Sequence, residues 1–377
     1  MTRSPARLLA RPTVTLLAAL ALAGGGGVLA ASPAAVQTPL SPAGPARTLT
    51  STVTGLACAN VDRLRLCSHG DDAALRPSTA AGEKGAQAAT SSTRIGCYGD
   101  GTSGARVVAA YLRPTGSVDR FAQYVDRFRG WAGAVEKSVD DSAHQTKGAR
   151  HVRFATTPGS SCSLQIVRLT LPADAFSSFT GTVQALQKRG FDHEGSKYLL
   201  WTDASGYCGV ASTYDDDKLG SDNLNNGRLP TYARVDRTCW GYAEGHEVMH
   251  MLGGISPHAP HATGGFHCND GSDLMCYDDG SARSTQHPVC GSAQARLFDC
   301  RHDDYFSTAP TRGSWLAGHW NVAFSSFLSP AWTESAPPAP APSAAPTPGT
   351  EDPSVGSNPS SSPRPIVSLP PLGTGGA

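Results

Sequence analysis

Ten cysteines are the strongest constraint on what this 377-residue chain can fold into: Cys58, Cys67, Cys97, Cys162, Cys208, Cys239, Cys268, Cys276, Cys290 and Cys300. All of them follow an N-terminal stretch that reads basic, then apolar, then small. Arg3, Arg7 and Arg11 precede TVTLLAALALAGGGGVLA, and Ala30 or Ala31 suits cleavage. The apolar run is short and broken by glycines, so residues 1–31 are expected to be a Sec-type export signal rather than an anchor. An even cysteine count beyond such a signal predicts a disulfide framework. No CxxC occurs, which argues against a thiolate zinc knuckle. Sequence leaves the connectivity open. Joining near neighbours predicts Cys58–Cys67, Cys97–Cys162, Cys208–Cys239, Cys268–Cys276 and Cys290–Cys300.

Charge narrows the class of partner. Lys+Arg and Asp+Glu balance at 31 each, and losing the three signal arginines leaves 28 basic against 31 acidic residues. A mature chain near −3 does not favour nucleic-acid binding through phosphate contacts, nor a basic membrane-surface role. The chain is expected to be secreted, monomeric and free of stable membrane association. Residues 32–95 are rich in Ala, Ser, Thr, Gly and Pro around one compact piece, TGLACANVDRLRLCSHG, and read as an N-terminal extension or pro-segment. Residues 331–377 form a Pro/Ser/Ala-rich tail expected to be disordered, because it holds too little apolar surface to offset chain entropy. Residues 96–330 are the size of one two-lobed domain.

Within that domain, strands are predicted over 105–113, 151–156, 163–171, 197–203, 208–213 and 231–240. The 3,4,3,4 spacing of Val118, Phe121, Val125, Phe128, Ala132, Val135 and Val139 predicts a long helix with Ser117 as N-cap. Further helices are predicted over 175–189, ending at Gly190, and over 314–328. In the last of these, Trp315, Trp320, Phe324 and Phe327 would be core. Alternation of strands and helices implies an α/β fold with a mixed, mainly parallel twisted sheet.

The stretch GHEVMHMLGG, residues 245–254, carries the chemistry. His246 and His250 are one helical turn apart, so both imidazoles can reach one metal ion. Glu247 stands where it can take a proton from a metal-bound water and pass it to a leaving group. Gly253 lets the chain leave the helix abruptly. A catalytic zinc needs a third protein ligand. His258, His261 and His267 follow, with Asp270 and Asp273 as carboxylate alternatives.

These residues, together with HCNDGSDLMCY further on, resemble the metzincin clan of zinc metallopeptidases, whose pattern is HExxHxxGxxH followed by a methionine turn. His246, Glu247, His250 and Gly253 match it, but Ser256 stands where the third His belongs. Counting back from the methionine restores the match. Met275 lies eight residues after His267, the matrixin spacing, with an insertion before His267 of the kind tolerated in leishmanolysins. The resemblance therefore implies one catalytic Zn2+ held by His246, His250 and His267, with His261 as the alternative third ligand. It implies Met275 packed beneath the metal. It also implies Tyr277 beside it, as in the Met-x-Tyr turn of astacins and serralysins, with a phenol able to stabilise an oxyanion. The fold implied is zincin-like, with a disulfide-rich C-terminal subdomain, and the activity is hydrolysis of peptide bonds in a protein or peptide substrate. The segment is also similar to a set of secreted proteins of high-GC bacteria. Two other functions fit the same residues: an inactive secreted binding protein on a degenerate zincin scaffold, and a cell-wall peptide amidase.

Three features are read more plainly. DDDKLGSDNLNNG, residues 215–227, offers oxygens to Ca2+, but its order departs from the EF-hand and a solvated loop is expected. His302, Asp303 and Asp304 in CRHDDYF, residues 300–306, suit a second metal less well than a capped turn. Cys67 could cap the zinc as a pro-segment cysteine does in matrixins, but the even count assigns it to a pair.

Overall fold

The structure is a computed structural model that describes residues 49–50, 57–61, 64–72, 95–157, 162–227 and 229–331. The predicted signal and the tail beyond residue 331 lie outside the described residues. The strands are β1 (Leu49–Thr50), β2 (Ala57–Val61), β3 (Leu64–Ser68), β4 (Arg106–Pro114), β5 (His151–Val152), β6 (Ile166–Leu171), β7 (Ser196–Thr202), β8 (Gly209–Tyr214), β9 (Thr231–Asp236) and β10 (Leu328–Ser329). The helices are α1 (Phe121–Gln145), α2 (Phe179–Gln187) and α3 (Glu244–Met251).

One mixed sheet runs in the order β1-β2-β3-β8-β9-β7-β4-β6. β6, β4, β7 and β9 are parallel, and β8 enters antiparallel to β9. Parallel strands bury both faces, which explains the unbroken apolar runs VVAAYL and YLLW. On one face α1 and α3 pack over Tyr111, Leu199, Trp201, Ala233 and Val235, with Phe128 stacked on Trp201 at 4.6 Å. On the other, α2 covers Ala110, Leu112, Leu200 and Tyr232.

The predicted strands 105–113, 197–203 and 208–213 recur shifted by one residue, and 163–171 and 231–240 recur shortened to β6 and β9. Of 151–156 only His151–Val152 is strand, with single bridges at Phe154 and Thr156, and a 3-10 turn at Arg237–Cys239 ends β9. Helix α1 begins at Phe121, not after Ser117: Ser117 Oγ donates to the Pro114 carbonyl, and Val118 is 66% exposed outside the helix. The 175–189 helix is split into a 3-10 turn (Ala173–Phe176) and α2, because Ser178 caps α2 by accepting from Gly181 N–H at 3.0 Å.

The predicted helix over 314–328 is absent. That span holds only a 3-10 turn at Val322–Phe324 and then β10. Asn321 accounts for this. Its Oδ1 accepts from Ala323 N–H at 3.1 Å, and its Nδ2 donates to the Ser307 carbonyl at 2.8 Å. Such side-chain bonds compete with a helical ladder. Trp320 and Phe327 are still buried, whereas Phe324 is 53% exposed.

All five near-neighbour disulfides are present, and no cysteine is free. Among the described residues no helix is long and apolar enough to cross a membrane. The Cys58–Cys67 bridge clamps the β2–β3 hairpin, so part of the extension is built into the sheet. β3 pairs with β8 through Leu66–Tyr214, Cys67–Thr213 and Ser68–Ser212.

Helix α3 starts where Glu244 Oε1 accepts both Gly241 N–H at 2.7 Å and Trp201 Nε1–H at 2.9 Å. Burial, opposed by these bonds, pushes the Glu244 carboxyl up to about 7. A carboxyl protonated more readily in the folded state stabilises the fold most below its unfolded value near 4.5, and that contribution is lost as pH rises towards 7. Glu244→Gln keeps an accepting carbonyl. It is expected to flatten that decline by on the order of 3 kcal/mol, measured as urea unfolding at pH 4.5 and pH 7.5.

Candidate metal centre

Helix α3, packed against β8 and β9, carries His246, Glu247 and His250, and all three are fully buried. The helix ends at Gly253, whose φ of +85° suits glycine, and a Cβ there would lie 2.5 Å from the Asn225 side chain. Asn225 belongs to the Asp/Asn loop after β8. It is ordered by its own amides: Asn225 Nδ2 donates to the Tyr214 carbonyl, and Asn223 Nδ2 to those of Asp216 and Lys218. Several of the loop's oxygens also accept hydrogen bonds, from within it or from the end of β8. Asp216 accepts Lys218 and Leu224 N–H, and Asn225 Oδ1 accepts Tyr214 N–H.

The chain then loops back to bring His267 against the helix. His250 Nε2 lies 2.9 Å from His246 Nε2 and 3.2 Å from His267 Nε2. His258 is elsewhere, exposed and 3.0 Å from Asp217. His261 is also elsewhere, 3.0 Å from Asp304. Asp273 is turned to structure, accepting from Met275 N–H and Tyr305 O–H, each at 2.7 Å. The turn after His267 is held by the Cys268–Cys276 bridge and buries Met275 in the core. The Tyr277 ring lies 4.3 Å from that of His267.

The outward nitrogens decide what the three rings can bind. His246 Nδ1 is 2.8 Å from the Leu274 carbonyl, which can only accept, so Nδ1 carries a hydrogen and Nε2 is the nitrogen left for a ligand. His267 Nδ1 is 3.0 Å from the Asp279 carboxylate, with the same result. Asp279 suits this role: burial opposes its charge, but bonds from His267, Ser281 and Thr263 hold its carboxyl well below the usual range. His250 lacks such a brace, since its Nδ1 is buried without a hydrogen bond. Burial, then the neighbouring imidazoles, depress its pKa and keep the ring neutral. A divalent cation among the three Nε2 atoms turns each of them into a ligand. Tetrahedral bonds of ~2.0–2.1 Å would set ligands about 3.3 Å apart, close to the spacings here.

Two further side chains reach the same point, and both come from the N-terminal arm that continues β3. Asp72 Oδ2 is 3.0 Å from His246 Nε2, and Oδ1 is 3.3 Å from His267 Nε2. Tyr277 donates its hydroxyl hydrogen to Asp72. The His69 ring stacks on His250 at 4.0 Å, and its Nε2 accepts from Ala211 N–H at 3.0 Å. Asp72 N–H donates to the Gly209 carbonyl at 2.9 Å, and Cys208 N–H donates to Asp71 Oδ1 at 2.6 Å. The arm thus occupies the β8 edge beside the histidines. Cys67, paired with Cys58, does not reach them. Sequence reading missed His69 and Asp72. The available signal was the polar run SHGDD closing a disulfide-clamped hairpin inside an otherwise featureless extension.

Both Glu247 carboxylate oxygens are buried without a hydrogen bond, and Oε2 is 3.4 Å from His69 Nε2. Burial, then the Asp72 carboxylate beside it, raises the Glu247 pKa well above the usual range. The imidazoles of His69 and His246 outweigh burial at Asp72 and hold its carboxyl well below that range. Gly209 makes room for Glu247, since a Cβ there would lie 2.0 Å from Oε1. Gly209→Ala is expected to displace that carboxylate. It should lower any Glu247-dependent turnover at least tenfold while thermal unfolding changes little, as read from kcat and from a melting curve.

No protein-family model matches the chain, and no curated protein matches it.

Proposed function

We propose that the protein is a secreted zinc-dependent metalloendopeptidase, and that the chain with its N-terminal arm in place is the latent form. The observation that carries this reading is the meeting of three imidazole nitrogens beside a buried glutamate with no hydrogen-bond partner. His246, His250 and His267 would hold the zinc. When bound, zinc polarises the scissile carbonyl and lowers the pKa of its water. A purely structural metal would not call for an unpartnered carboxylate beside it, and Glu247 serves as general base towards water and then as acid towards the leaving amine. The Tyr277 hydroxyl, engaged by Asp72 in the latent form, becomes free to donate to the developing oxyanion when Asp72 leaves. The β8 backbone groups that the arm uses at Cys208, Gly209 and Ala211 suit an extended peptide added as a strand.

The test is cleavage of a denatured protein by the zinc-supplied chain before and after the arm is removed proteolytically. Cleavage should rise on arm removal, stop with a zinc chelator, and return with zinc. If the zinc-loaded, arm-free chain cuts neither denatured protein nor cell-wall peptides, the non-catalytic binding protein takes its place.

A further inference from the structure

One of the two candidate histidines that did not join the first centre, His261, lies in a second cluster. His261, Asp270, Asp303 and Asp304 each present one ligand atom, and those atoms all lie within 4.8 Å of one another. His261 Nδ1 is 3.0 Å from Asp304 Oδ2, 3.7 Å from Asp303 Oδ1 and 3.8 Å from Asp270 Oδ2. Three separate stretches of chain converge there, and each is held in place from outside the cluster. Asp299 accepts the N–H groups of Asp303, Tyr305 and Phe306 at 3.1, 2.8 and 2.7 Å, fixing the turn that presents Asp303 and Asp304. Asn269 N–H donates to the His261 carbonyl at 2.9 Å, fixing Asp270 against His261. The Cys268–Cys276 and Cys290–Cys300 bridges close the flanking loops.

Ordinary ion pairing does not account for this cluster. The Asp270 side chain is 4% exposed, and its Oδ2, aimed at the shared centre, is buried with no hydrogen bond. Among the described residues no Lys or Arg lies within salt-bridge distance of Asp270, Asp303 or Asp304, and Arg301 and His287 act on Asp270 only from further away. One imidazole cannot donate to three carboxylates, and even its protonated form would leave the cluster at about −2. An isolated buried carboxylate oxygen is costly unless it meets a proton or a cation.

We propose that His261, Asp270, Asp303 and Asp304 form a second divalent-cation site, of one nitrogen and three oxygen donors, that binds zinc. The 3.0–3.8 Å separations from His261 bracket the ~3.3 Å expected between ligands of a tetrahedral zinc. The imidazole argues against calcium, which takes six to eight oxygens. Four protein ligands leave no open position, so the role is structural. The ion ties the 299–306 turn to the loop that presents His267 and Met275.

The test uses the full chain carrying His246→Ala and His250→Ala, which empties the first centre. Dialysed against zinc, manganese or calcium and analysed by mass spectrometry, it should retain one zinc per chain. Adding Asp303→Asn, a half-exposed position whose N–H stays on Asp299, should weaken zinc binding at least tenfold by calorimetry while far-ultraviolet circular dichroism is unchanged. Should the double-alanine chain not fold, the same calorimetric comparison on the otherwise native chain counts two zinc sites falling to one. Absence of any retained ion, retention of calcium alone, or zinc binding unaltered by Asp303→Asn would overturn the proposal. It does not depend on peptidase activity.

Discussion

Glu247→Ala is expected to lower kcat/KM for peptide cleavage by roughly 10²–10⁴ while zinc stays bound. The size follows from the loss of a general base alone. The sign for zinc follows from the geometry, because His250 Nε2 meets the Nε2 atoms of His246 and His267 without any contribution from Glu247. The tautomers of His246 and His267 are fixed by the Leu274 carbonyl and the Asp279 carboxylate, which the substitution does not touch. Initial rates on a denatured protein, measured beside zinc content, separate the two effects. Loss of activity together with loss of zinc would point to a collapsed site. Unchanged activity would remove Glu247 from the chemistry.

The second large effect has the opposite sign. Asp72→Ala should raise the activity of the chain that keeps its arm, by at least tenfold. The substitution withdraws both oxygens that face His246 and His267 and releases the Tyr277 hydroxyl. It leaves the β3–β8 pairing, so part of the cleft stays covered and removing the arm should add more. The measurement is kcat/KM of the intact variant against the intact and arm-free native chains. If the variant is no more active than the intact native chain while the arm-free chain is active, Asp72 is a bystander and strand pairing alone closes the cleft. The electrostatics favour a direct role, because neighbouring imidazoles hold Asp72 ionised within a fully buried site.

Much of this was legible in the residues. The apolar runs identified the strands, and joining consecutive cysteines found all five disulfides, although Cys97–Cys162 spans 65 residues, including β4 and α1. The His246–His250 spacing placed two rings on one helix face, and the count back from Met275 selected the histidine that joins them. What failed was governed by side chains acting locally or at long range. Ser117 turned to Pro114 instead of capping α1, and Asn321 diverted the span that looked like a C-terminal helix. His69 and Asp72 were hidden for a different reason. Asp72 meets Tyr277 across a separation of 205 residues, and no periodicity reports a contact of that kind. His261 looked like a rival for the first centre because residue type alone does not reveal which of two clusters a histidine serves.

The most direct test of the central claim is an anomalous difference map at the zinc edge from crystals of the full chain grown with zinc. The account predicts a peak bonded to Nε2 of His246, His250 and His267. A map with no peak among those three nitrogens, from crystals saturated with zinc, would contradict it.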